Sequence, residues 1–137
     1  MNTLLKYHKT IVILTAITLL SLLNIGEVAP NGIKLIPHSD KIVHFIMYFT
    51  ASFVLLFEYF LHHKKNKAVL KRLPVIPFVW GGIMEICQFY LTEYRGAEWS
   101  DLAANTCGLF LGYLTFMKVR NNHIVEYLIT FPFKKHL

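Results

Sequence analysis

The sequence predicts an all-α membrane protein: a polytopic helical bundle of about four transmembrane helices, with the N- and C-termini both on the cytoplasmic side. Composition is the first observation behind this. Of 137 residues 55% are hydrophobic and only 16% charged, where a soluble domain carries about 25% charged residues. The second is that the apolar residues fall in long unbroken runs. The third is that the basic residues collect between alternate runs. At this length a single domain, residues 1–137, is expected.

The first run, Ile11–Leu23, has Thr15, Thr18 and Ser21 interspersed and Lys6 and Lys9 ahead of it, as in a signal peptide. The stretch Asn24–Ala29 makes a poor cleavage site, because Glu27 occupies the −3 position relative to Ala29. A retained span over about residues 10–26 is therefore expected, and no lipoprotein cysteine follows it. Ile42–Leu61, 20 residues long, is near the length needed to cross a hydrocarbon core of about 30 Å; the span is drawn over 40–62. Leu73–Leu91 carries Pro74 and Pro77 at its start, where helices tolerate proline, and predicts a span over 73–92. Leu102–Phe116 continues through Met117 and Val119, giving a span over 101–119. Aromatic residues cluster near several of these ends (Tyr48, Tyr59, Phe89, Tyr90, Trp99, Phe116), as at membrane interfaces. Residues 120–137 form a short cytoplasmic tail. Its apolar part, Ile124–Phe133, is too short to span and is expected along the inner interface, with Lys134 and Lys135 toward anionic lipid.

Charge gives the orientation. Lys6 and Lys9 precede the first run; Lys64, Lys65, Lys67, Lys71 and Arg72 fill the second loop; Lys118, Arg120, Lys134 and Lys135 follow the last run. These are eleven of the fourteen Lys and Arg residues. The first and third loops hold only Lys34, Lys41 and Arg95. By the positive-inside rule both termini and the second loop are cytoplasmic. The net charge of +6 thus reports topology, and no nucleic-acid-binding motif accompanies it. Cys87 and Cys107 fall within spans and read as small hydrophobes, giving neither a metal signature nor a disulfide framework.

With this topology, polar residues from three helices share one depth near the outer face. The second span begins there with Asp40, Lys41, His44 and Tyr48. The third ends there with Glu85 and Gln88, ahead of the loop that holds Arg95. The fourth begins there with Asp101 and Asn105. The pairs Asp40/His44, Glu85/Gln88 and Asp101/Asn105 are spaced three or four residues apart, so each shares a helix face. On the fourth span that face continues through Gly108 and Gly112, whose spacing permits close helix packing. Ionisable groups at such depth are costly unless paired or functional. The expected ligand-binding set is Asp40, Lys41, His44, Glu85, Gln88, Arg95, Asp101 and Asn105. Glu58, beside His62 and His63 near the inner end of the second span, is expected to be an interfacial charge. A Zn or Mn site formed by His44 with Asp40, Glu85 or Asp101 is chemically possible, since imidazole and oxygen ligands suit either ion. But no H-E-x-x-H spacing, nucleophile elbow, P-loop or dinucleotide fingerprint is present, so no metal and no cofactor is expected.

The string Asp40-Lys41-x-x-His44-x-x-x-Tyr48, Glu85-x-x-Gln88, Arg95, Trp99-x-Asp101, Asn105-Thr106-x-Gly108 and Gly112 resembles the VanZ-like family of small bacterial membrane proteins, over about residues 36–116. The resemblance implies a multi-pass protein of the bacterial cytoplasmic membrane. Its namesake's association with teicoplanin resistance implies a role in the cell envelope. Three functions follow. The leading one is an outer-face pocket for a lipid-linked or cell-wall-related ligand, giving tolerance to glycopeptide or lipoglycopeptide antibiotics. The second is a membrane-embedded enzyme in which His44, Glu85 and Asp101 act on a lipid head group by acid–base chemistry. The third is a helper subunit whose polar band only specifies assembly. The balance leans away from an enzyme. The partners expected are membrane lipid and a lipid-linked or cell-wall precursor.

Overall fold

The computed structural model describes residues 6–22, 39–63, 66–91 and 98–130. All regular structure in them is helical: α1 (His8–Leu22), α2 (Ser39–His62), α3 (Lys67–Arg72), α4 (Val75–Leu91), α5 (Trp99–Val119) and α6 (His123–Thr130). Three segments are long and apolar enough to cross a membrane: Asp40–His62, Lys67–Leu91 and Trp99–Val119. α1 has 15 residues, about 22 Å at the helical rise, so the described helix alone falls short of a full crossing.

Local sequence explains the breaks. Asn66 caps α3, its side-chain oxygen accepting from the N–H groups of Ala68 and Val69 at 3.0 and 3.4 Å. Lys71 and Arg72 close that helix with the charge its C-terminus favours. A turn at Leu73 and Pro74 then leads into α4. Pro77 sits in the first turn of α4, where a missing N–H costs little, and the Leu73 carbonyl is taken instead by Ile76 N–H at 3.0 Å. Asn122 caps α6 as Asn66 caps α3, accepting from Ile124 N–H at 2.9 Å.

α2 is the central helix, and its tightest neighbour is α5. The contact is backbone to backbone: a Cβ added at Gly108 would lie 2.3 Å from the Phe45 carbonyl oxygen, and one at Gly112 2.6 Å from that of Phe49. Only glycine allows such an approach. Toward the far end the seam is filled by rings. Phe53 and Phe57 have centroids 5.0 Å apart, and the Phe116 ring meets Phe57 edge-on at 5.1 Å. Leu56, Phe57, Leu70 and Phe116 form one buried cluster there; Ile17, Tyr48, Ala51 and Leu109 form another nearer the middle. The outward faces are apolar. On α4, Ile76, Val79, Ile83, Ile86 and Phe89 are all exposed, at the helical period that marks a lipid-facing stripe.

The helices run alternately up and down, so two distinct ends result. The N-termini of α2 and α5 meet the C-terminus of α4 at one end. The N-terminus of α1, the C-termini of α2 and α5, and α3 and α6 lie at the other. Lys6, Lys9, Lys67, Lys71, Arg72, Lys118 and Arg120 all belong to the second end; among the described residues Lys41 is the one Lys or Arg at the first.

Candidate functional site

The first end of the bundle holds the polar cluster, built in layers from surface to interior. At the rim the Lys41 ammonium donates to Asp40 Oδ2 at 2.9 Å, Glu98 Oε2 at 3.0 Å and Asp101 Oδ1 at 3.2 Å. One side chain of α2 thereby ties the start of its own helix to the start of α5. Asp40 is half-buried and Glu98 exposed, whereas Asp101 is buried. The Lys41 hydrogen bond holds the Glu98 carboxyl below its ordinary value, with a further contribution from the Ser100 hydroxyl.

One turn deeper, His44 is buried between two partners. Its Nδ1 lies 3.0 Å from Asn105 Oδ1, and its Nε2 lies 3.8 Å from Asp101 Oδ2. An amide oxygen can only accept, so with that amide orientation the Nδ1 proton is donated to Asn105 and the Nε2 position faces the carboxylate. Asp101 therefore bridges the layers, one oxygen toward Lys41 and the other toward His44. Glu85 of α4 reaches the same level: its Oε2 accepts from the Glu98 backbone N–H at 3.4 Å. His44, Glu85 and Asp101 offer ligand atoms all within 4.8 Å of one another.

Tyr48 and Asn105 add two further buried polar groups on α2 and α5. The Tyr48 ring packs against Gly81, where an added Cβ would stand 3.0 Å from the ring. Neither the Tyr48 hydroxyl nor Asn105 Nδ2 has a hydrogen-bond partner among the described residues.

Of the expected set, the structure gathers Asp40, Lys41, His44, Glu85, Asp101 and Asn105 in this cluster. Gln88 points elsewhere: its Nε2 donates to the Ser21 carbonyl at 2.9 Å, at the C-terminal end of α1. It acts there as a helix clamp. Arg95 lies outside the described residues. Glu98 belongs to the cluster and was not anticipated; its place three residues before Asp101, at the start of the same helix, is the signal that could have found it.

Glu58 differs from expectation. It is 3% exposed and accepts from Lys9 N–H at 3.0 Å, Thr10 N–H at 3.1 Å and the Thr10 hydroxyl at 2.6 Å. It caps the N-terminus of α1, a position where the helix dipole favours an anion. Nothing in the local sequence of α2 announces this, because the partner is 48 residues away.

The fold and cluster define a helical membrane protein with one polar, multi-helix end. The chain matches the VanZ/LLP1 family over residues 3–121 and belongs to that family. The match runs beyond the motif-bearing stretch and takes in α1. No curated protein and no solved structure matches the chain.

Proposed function

We propose that this is a multi-pass protein of the bacterial cytoplasmic membrane whose polar end faces outward, and that this end binds a lipid-linked or cell-wall-related ligand, conferring tolerance to glycopeptide-type antibiotics. The observation that carries the reading is the convergence of His44, Glu85 and Asp101 from three helices at one buried level beneath the Lys41 rim. A network needed only for assembly has no use for so many ionisable groups, since each is costly in a membrane even when paired. Family membership supports the envelope role, and the segregation of basic residues to the opposite end supports the orientation. α1 is the first of four spans in this reading.

Glu85→Gln and Asp101→Asn, compared at matched membrane abundance, should abolish whatever tolerance the intact protein confers. If both variants keep full tolerance per molecule, the pocket has no role in ligand capture. A second reading, acid–base chemistry on a lipid head group, is favoured by the approach of His44 Nε2 to Asp101. It predicts turnover of a radiolabelled lipid extract that His44→Gln eliminates.

A further inference from the structure

The polar end is acidic. Among the described residues Asp40, Glu85, Glu98 and Asp101 stand there against the single ammonium of Lys41. Carboxylates gathered around a buried imidazole are the donor chemistry of a divalent ion.

The donors for one are in place. His44 of α2, Glu85 of α4 and Asp101 of α5 are all buried, and their ligand atoms lie within 4.8 Å of one another. Imidazole nitrogen with carboxylate oxygen is a Zn2+ donor set, and three protein ligands with an open fourth position is the arrangement of reactive zinc centres. His44 is also prepared for the task. Metal-bound histidines donate their other ring N–H to a fixed acceptor, and Asn105 Oδ1 stands 3.0 Å from Nδ1, leaving the Nε2 lone pair toward Asp101. The 3.8 Å between Nε2 and Asp101 Oδ2 is too long for a hydrogen bond. It lies near the separation of about 3.3 Å between two ligands on one tetrahedral ion with bonds of about 2.0–2.1 Å. A separate observation points to an oxygen bound beside the ring. Asn105 is 1% exposed, and its Nδ2, next to the imidazole, is a donor with no hydrogen-bond partner among the described residues.

We propose that His44, Glu85 and Asp101 form a divalent transition-metal site, suited to Zn2+, whose fourth position takes water or an anionic oxygen of the ligand. No H-E-x-x-H spacing announces such a site, because each ligand comes from a different helix. The proposal deepens the pocket reading and rests on it only for the identity of the fourth ligand.

The test uses the full-length protein in detergent, stripped with chelator and titrated with Zn2+ alone by calorimetry. One ion per chain is expected. His44→Gln, Glu85→Gln and Asp101→Asn should each weaken binding by at least about tenfold, and Asn105→Ala by about 10- to 100-fold. Glu126→Gln, on α6 at the opposite end, should change nothing. X-ray absorption at the zinc edge of the unmodified protein should show imidazole and oxygen ligands without sulfur, which decides the matter even if a variant fails to fold. Substoichiometric zinc, affinity unmoved by the three ligand variants, or sulfur coordination from Cys87 or Cys107 would each overturn the proposal. No lipid or wall precursor is present in these measurements. A bound zinc with no effect on antibiotic tolerance therefore sinks the pocket reading and leaves the metal site standing, while tolerance without zinc does the reverse.

Discussion

Glu58 and Thr10 are joined twice: one carboxylate oxygen of Glu58 accepts from the Thr10 backbone N–H at 3.1 Å and from its hydroxyl at 2.6 Å. The other oxygen takes the Lys9 N–H at 3.0 Å. At the opposite end of α1, Gln88 donates to the Ser21 carbonyl at 2.9 Å. Orphan donors and an orphan acceptor at the ends of a short apolar helix are thus satisfied by side chains from α2 and α4. Water cannot do this in hydrocarbon. The two clamps bind the first helix into the same unit as the motif-bearing helices.

Glu58→Ala should therefore detach the start of α1. Loss of the cap and of hydrogen bonds to a charged acceptor should lower stability by about 2 kcal/mol or more, read as an earlier transition on titration with a denaturing detergent. Unchanged stability would mean that α1 contributes nothing to the folded bundle.

The α2–α5 seam makes a sharper contrast. Gly108→Ala places a methyl group 2.3 Å from the Phe45 carbonyl oxygen, so the two backbones must part. Overpacking of this kind costs about 1–3 kcal/mol. Gly82→Ala, with nothing within 4 Å of the added carbon, should be neutral or stabilising by about 1 kcal/mol through helix propensity. Comparable losses at both glycines in the same unfolding assay would contradict the close approach.

Much of this arrangement was legible beforehand. Apolar runs located the long helices, because bilayer thickness dictates their length, and three- and four-residue spacings placed Asp101, Asn105, Gly108 and Gly112 on one face of α5. What escaped the sequence were contacts between distant segments. Gln88 shares a helix face with Glu85, yet the two side chains serve different neighbours, one at α1 and one at the start of α5. Glu58 reads as an interfacial charge because its partners, two backbone N–H groups and the Thr10 hydroxyl, sit on a different helix far away in sequence. Periodicity identifies which residues share a face; it does not say which helix that face meets.

The rim should respond to acid. Lys41 lowers the Glu98 carboxyl below its ordinary value, so their hydrogen bond stabilises the folded protein fully above the ordinary carboxylate range. That contribution is lost as the pH falls through the depressed value, when Glu98 takes up a proton. The difference in melting temperature between the unmodified protein and Glu98→Gln should accordingly be present at pH 7 and fade as the pH falls below the ordinary carboxylate range. Since Glu98 is exposed, the difference should also shrink in high salt. A gap that widened on acidification would contradict the assigned role of Lys41.

The final prediction concerns sidedness, on which the proposed function depends. Lys67 and Glu98 lie at opposite ends of the bundle, one beginning α3 and the other preceding α5. The end with Lys67 gathers the basic residues of α1, α3 and the C-terminus of α5, and such clusters are retained on the cytoplasmic side. Reporter fusions at Lys67 should therefore be active inside the cell and those at Glu98 outside. Replacing Lys67, Lys71 and Arg72 together with Gln should weaken this preference and yield a mixed population, because the remaining charges at that end would carry the bias alone. The opposite assignment, with Lys67 outside, would bring Lys41, His44, Glu85 and Asp101 to the cytoplasmic surface. An envelope ligand would then have no access to them, although the bundle and its metal-ligand geometry would be unaltered.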